Sequence, residues 1–121
     1  MLGYSQSGIP VTIAVHCIEQ ASINDIENSS NMLSAFKSMK GTVSALRNTA
    51  DSTALLVGDF SSCGIAYLGT YDNGNTVSVT AKSCALGYYS FGHELGHNFG
   101  ATHDPDVRQN NFIAELSLLI F

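Results

Sequence analysis

The run HELGHNFGATHD, residues 93–104, holds three of the chain's four histidines. His93, Glu94, His97, Gly100 and His103 follow the pattern H-E-x-x-H-x-x-G-x-x-H. On a helix, His93 and His97 lie four apart and project from one face, where they can offer two imidazole nitrogens to one metal ion. Glu94, beside the first of them, is placed to act as a base. Gly100 can end the helix in a left-handed conformation that costs other residues energy. The chain can then turn back and bring in His103 as a third ligand. Three protein ligands and one open position describe a catalytic zinc site, not a closed structural one. A bare H-E-x-x-H arises by chance on ordinary amphipathic helices. The added glycine and third histidine at fixed spacing make chance a poor account. His16 lies in a strand-like run away from this cluster and reads as a surface or satisfied core histidine.

A helix over residues 89–100 must carry the motif. Ser90 is its candidate N-cap, and Phe91, Leu95 and Phe99 can pack one side of it against a sheet. Gly92 and Gly96 lower its helix propensity, so packing and metal must hold it. Upstream, residues 11–18 (VTIAVHCI) are rich in β-branched side chains and follow Gly8 and Pro10, which predicts a strand. Residues 19–32 read as a loop or a short helix. Leu33, Phe36, Met39, Val43 and Leu46 recur at helical spacing and predict a helix over 33–49, weakened at Gly41. The apolar run 53–58 (TALLVG) has the mark of a buried strand. Residues 64–68 (GIAYL) and 76–81 (TVSVTA) read as two more strands, with a turn at Asp72-Asn73-Gly74-Asn75 between them. Strands alternating with helices indicate an α/β layered fold.

The chain has 121 residues, 45% hydrophobic and 12% charged, which suits one globular domain rather than a disordered segment. Net charge is −5 and the cations Lys37, Lys40, Arg47, Lys82 and Arg108 are scattered, so no nucleic-acid partner is expected. No apolar run approaches the ~20 residues that span a bilayer. The start, MLGYSQSG, lacks the basic and apolar regions of a signal peptide.

The extended zinc motif resembles that of the metzincin metalloproteases. The phrasing HELGHNFGATHD, with Asp104 after the third histidine, resembles the reprolysin branch, the adamalysin and ADAM-like peptidases. SGIPVTIAVHC, MKGTVSALRNTAD, ALLVG and CGIAYLG follow in the order of that catalytic domain, so the likeness covers roughly residues 4–104. It implies a metzincin-like mixed sheet with helices, here the upper, N-terminal subdomain with its zinc helix. It also implies a zinc-dependent endopeptidase with one zinc ion on His93, His97 and His103. Zinc would polarise water, and Glu94 would take its proton as general base and hand it to the leaving amine. The polypeptide substrate would lie antiparallel to an edge strand formed by Gly64, Ile65, Ala66, Tyr67 and Leu68. Asp104 would support the site without ligating the metal, or else is a solvated surface carboxylate.

Cys17, Cys63 and Cys84 are an odd set, so at least one is unpaired within the chain. Cys63 and Cys84 bracket the stretch between the edge strand and the zinc helix, and are expected to pair as a clamp on it. Three free buried thiols are the alternative. Asn28-Ser29-Ser30 is a glycosylation sequon. A secreted protein, or the ectodomain of a longer one, is the expected setting.

Two departures from the resemblance matter. Resembling domains have an earlier strand and a long helix before SGIPVTIAVHC. That strand lies inside the sheet, so strands 11–18 and 54–58 would lack their shared neighbour. The methionine turn and lower subdomain should follow the third histidine, yet Met1, Met32 and Met39 all precede it. Residues 1–104 are therefore expected to be a partial metalloprotease catalytic domain. Residues 105–121 are expected to form a tail, with FIAELSLLIF as a helix, a strand or a sequence foreign to the domain. The rival functions are an inactive zinc-binding or interaction module derived from such a protease, and a metal-independent domain with a chance motif.

Overall fold

The computed structural model describes residues 8, 11–39, 45, 49–58, 61–68, 76–86, 90–103 and 114–120, with residues 11 and 114–120 described by backbone alone. The described elements follow in the order β1 (Val11–Ile18), α1 (Ser29–Lys37), β2 (Ser52–Val57), β3 (Gly64–Ala66), β4 (Val77–Ala81), α2 (Ser90–Asn98) and β5 (Ala114–Ile120). The strands form one mixed sheet in the order β1-β5-β2-β4-β3. The first four in that order run parallel, and β3 closes the edge antiparallel to β4.

Two helices on two faces explain why β2 and β4 are buried along nearly their whole length. Side chains alternate along a strand. Leu55, Val57, Val77 and Val79 fall on one face, where Met32, Leu33 and Phe36 of α1 complete the core cluster. Ser52 falls on the opposite face, and its hydroxyl meets Asn98 of α2. By alternation and register, Ala54, Leu56, Ser78 and Thr80 share that face with Ser52. Apart from Leu56 these are small side chains, so α2 can sit close to the sheet.

Helix α1 begins four residues earlier than the apolar spacing suggests. The Asn28 side chain accepts the Asn31 N–H at 3.0 Å and caps the helix there. The helix ends at Lys37. Most of the expected second half, including Gly41, lies outside the described residues, as does the expected turn at 72–75. Strand β3 stops at Ala66 rather than reaching Leu68, because the chain past it is held by side-chain and main-chain partners described below.

The FIAELSLLIF segment supplies β5, which pairs in parallel with both β1 and β2. It fills the interior position that the resemblance left without a strand. Two flanking strands with open ladder groups make that slot favourable for an apolar segment, since each buried N–H and C=O otherwise lacks a partner. On the far side of the sheet β1 is largely exposed, His16 included, with Val15 and Ile18 open to solvent. Among the described residues no helix is long and apolar enough to cross a membrane.

Candidate metal centre

Helix α2 starts from the turn that follows β4. The Ser90 N–H donates to the Cys84 carbonyl and the Phe91 N–H to the Ala85 carbonyl, each at 3.3 Å. Ser90 is thus the first helical residue rather than the cap. That turn is tied across to the start of β3 by a disulfide between Cys63 and Cys84, whose Cα atoms are 5.4 Å apart. Cys17 is free. The disulfide fixes the spacing between the first turn of the helix and the sheet edge.

The other end of α2 is closed by a glycine. Gly100 has φ +94°, a left-handed conformation that L side chains rarely adopt. The Gly100 N–H donates to the His97 carbonyl at 2.9 Å, and the Ala101 N–H to the Gly96 carbonyl at 3.0 Å. This pair of bonds is a Schellman closure. It reverses the chain, so His103 returns to the face that carries His93 and His97.

The Nε2 atoms of His93, His97 and His103 converge, each 3.0 Å from the other two. Of the described residues, these three form the one cluster suited to holding a metal ion. His97 Nδ1 lies 2.6 Å from the Ala101 carbonyl. A carbonyl only accepts, so Nδ1 carries the proton and Nε2 presents its lone pair to the centre. Burial, and then the neighbouring charges of His97 and His103, lower the pKa of His93 and favour its neutral, ligating form. Four donors ~2.0–2.1 Å from a tetrahedral zinc stand roughly 3.3 Å apart, so the observed triangle is of the right size for three of them. Chemistry and spacing both fit a zinc ion.

Glu94, the residue after His93, is only 7% exposed. Burial raises its carboxyl to about 7, with His103 pulling weakly the other way. A carboxyl in that range can both accept and return a proton near neutral pH. Its side chain runs against Gly64 of β3.

Of the residues expected along the substrate, Gly64, Ile65 and Ala66 form β3, while Tyr67 and Leu68 lie beyond it. The Ala81 N–H donates to the Cys63 carbonyl, and the Tyr67 N–H to the Val77 carbonyl. In an antiparallel ladder this phase turns the main-chain groups of residues 63, 65 and 67 toward β4. Gly64 and Ala66 face the open edge with theirs, although the Gly64 carbonyl also accepts the Ser62 hydroxyl at 3.0 Å. Tyr67 has both main-chain groups engaged internally, and Leu68 is exposed. Asp104 lies outside the described residues.

Spacing alone did not reveal Asn98. It is 0% exposed, and its side-chain amide donates to the Tyr67 carbonyl at 2.9 Å and to the Val77 carbonyl at 3.0 Å. Its oxygen accepts the Ser52 hydroxyl at 3.1 Å. One side chain therefore joins the histidine-bearing helix to β2, to β4 and to the end of β3. The available signal was its position four after Glu94, on the helix face that meets the sheet. Asn98→Ala should lower stability by about 2–4 kcal/mol, since it leaves buried carbonyl and hydroxyl groups short of partners. Denaturant unfolding checks this, and a loss within about 0.5 kcal/mol, as at an ordinary surface site, would show that the bridge is unimportant.

The family model described as metallo-peptidase family M12 matches residues 3–114. The chain is similar to the peptidyl-Asp metalloendopeptidase of Stenotrophomonas maltophilia strain R551-3, with 31% identity over 112 residues, 84% of this chain and 26% of that protein. The protein of the same description from strain K279a is 32% identical over the same length and shares. That of Xanthomonas campestris pv. campestris is 31% identical, again over 84% of this chain and 26% of its own. The chain thus spans about a quarter of the length of the curated relatives it matches.

Proposed function

The chain belongs to metallo-peptidase family M12, and from that premise we propose that the protein carrying it is a zinc-dependent endopeptidase of the reprolysin-like branch. The observation that carries this reading is the convergence of three Nε2 atoms 3.0 Å apart beside a buried carboxyl group. His93, His97 and His103 would hold one zinc ion, with Asp104 as supporting carboxylate. Zinc when bound supplies Lewis acidity, which polarises water and a peptide carbonyl.

The remaining work falls to the chain. Glu94 takes the proton from the attacking water and returns it to the leaving amine. Its carboxyl at about 7 suits both transfers. An extended peptide pairs with the outward main-chain groups of Gly64 and Ala66, so recognition begins with backbone rather than side chains. Ile65 stays turned toward the core cluster, against which it packs. Tyr67 shapes the end of the edge through its bond to Asn98. The disulfide fits an oxidising compartment, which supports a secreted protein or an ectodomain.

The test is peptide cleavage by the full-length protein, starting with peptides that contain Asp, after the name of the relatives. Cleavage should stop on adding a chelator and return with stoichiometric zinc. Zinc bound without any cleavage would instead make this an inactive zinc-binding module. Cleavage indifferent to chelation would exclude the metal mechanism.

A further inference from the structure

We propose that Gly64 is a positioning residue for Glu94, the bare strand surface that sets where the carboxylate of the base lies. This rests on the peptidase reading and deepens it. A Cβ placed on Gly64 would stand 2.5 Å from Glu94 Cγ, 2.6 Å from Oε1 and 2.8 Å from Cδ. Contacts under 3.0 Å essentially never occur, so something must move. The backbone of Gly64 gives no reason of its own for a glycine. The residue sits within β3, and the left-handed conformations found at Gly8 and Gly100 do not occur there. A glycine within a strand weakens it, and it often marks a close approach by another group. Here the approaching group is Glu94.

The backbones on either side are braced. Cys63, just before Gly64, is bonded to Cys84, and its carbonyl accepts from Ala81. Tyr67, three residues on, is held by Val77 and Asn98. Helix α2 is held at its start by Cys84 and Ala85 and near its end by Asn98. Neither strand nor helix can recede easily, so the Glu94 side chain is what a methyl group would displace. The three atoms nearest the added Cβ all belong to Glu94, so it is this side chain, and not a histidine, that the methyl group meets first, and metal binding should be spared. Alanine also keeps the N–H and C=O that face the sheet edge. The change therefore separates aim of the base from ligation and from backbone pairing.

The experiment compares four forms of the full-length protein: parent, Gly64→Ala, Glu94→Ala and the double variant. Glu94→Ala removes the three atoms nearest the new methyl, each of them under 3.0 Å from it. Gly64→Ala should lower the Tm when Glu94 is present and leave it unchanged when Glu94 is Ala. Zinc content should be equal in all four. Where the parent cleaves peptide, Gly64→Ala should lower kcat by about 100-fold, the order expected for an ångström of misplacement, with KM little changed. If Gly64→Ala fails to fold, recovery of folding in the double variant supports the proposal, and failure of both overturns it. An equal loss of Tm in the two backgrounds, or a kcat for Gly64→Ala equal to the parent's, also overturns it. A parent that cleaves no peptide counts against the peptidase reading alone, because the Tm comparison still decides whether Gly64 sets the place of Glu94.

Discussion

Glu94→Gln should cut peptide hydrolysis by about 100- to 10,000-fold, the usual contribution of a general base, while bound zinc stays at one equivalent. Glutamine has nearly the shape of glutamate, so it keeps the packing against Gly64 but cannot take up a proton. The geometry separates the two roles. The nitrogens that could hold a metal belong to His93, His97 and His103, and the Glu94 side chain lies against Gly64 of the strand. Burial opposes the charged form of Glu94, so loss of that charge removes a penalty rather than a stabilising pair. The variant should fold at least as well as the parent. Initial rates with saturating peptide and metal analysis of the same sample measure both quantities. If the glutamine form retains activity within a few-fold of the parent at full zinc, Glu94 is not the base.

His103→Ala should weaken zinc binding by well over 100-fold, beyond the 10- to 100-fold typical of losing an outer partner of a ligand. His103 Nε2 stands 3.0 Å from both of the other ligand atoms, so its removal opens one corner of the triangle. The Schellman closure at Gly100 and the His97–Ala101 contact remain, because neither uses the His103 side chain. The loss should therefore appear in metal affinity and not as collapse of α2. Competition with a chromogenic chelator, alongside circular dichroism, distinguishes these outcomes. Parent-like affinity in His103→Ala would remove it from the ligand set.

Much of the centre is a local property of one segment, which is why it is legible in sequence. His93 and His97 share a face through helical periodicity. Gly100 permits the one backbone conformation that reverses the chain within three residues of the third histidine. Strand β1 matches the run 11–18, and β2 the apolar stretch that a doubly covered strand requires. In each case the cause lies within a few residues of its effect.

What only the tertiary structure decided involves partners distant along the chain. Asn98 is an unremarkable polar residue in sequence; its importance comes from carbonyls at 67 and 77 and a hydroxyl at 52. Gly64 reads in the sequence only as the first residue of the edge strand; its role appears once α2 brings Glu94 across it from thirty residues away. The sequence predicts an edge strand through Leu68, but β3 ends at Ala66, because the course of the backbone at Tyr67 is set by Val77 and Asn98. Strand β5 shows the limit most plainly. An apolar run such as AELSLLI carries its burial preference in its own composition, but not its address. Its address between β1 and β2 follows from which ladder groups the rest of the sheet leaves open, and that is known only once the other strands are in place.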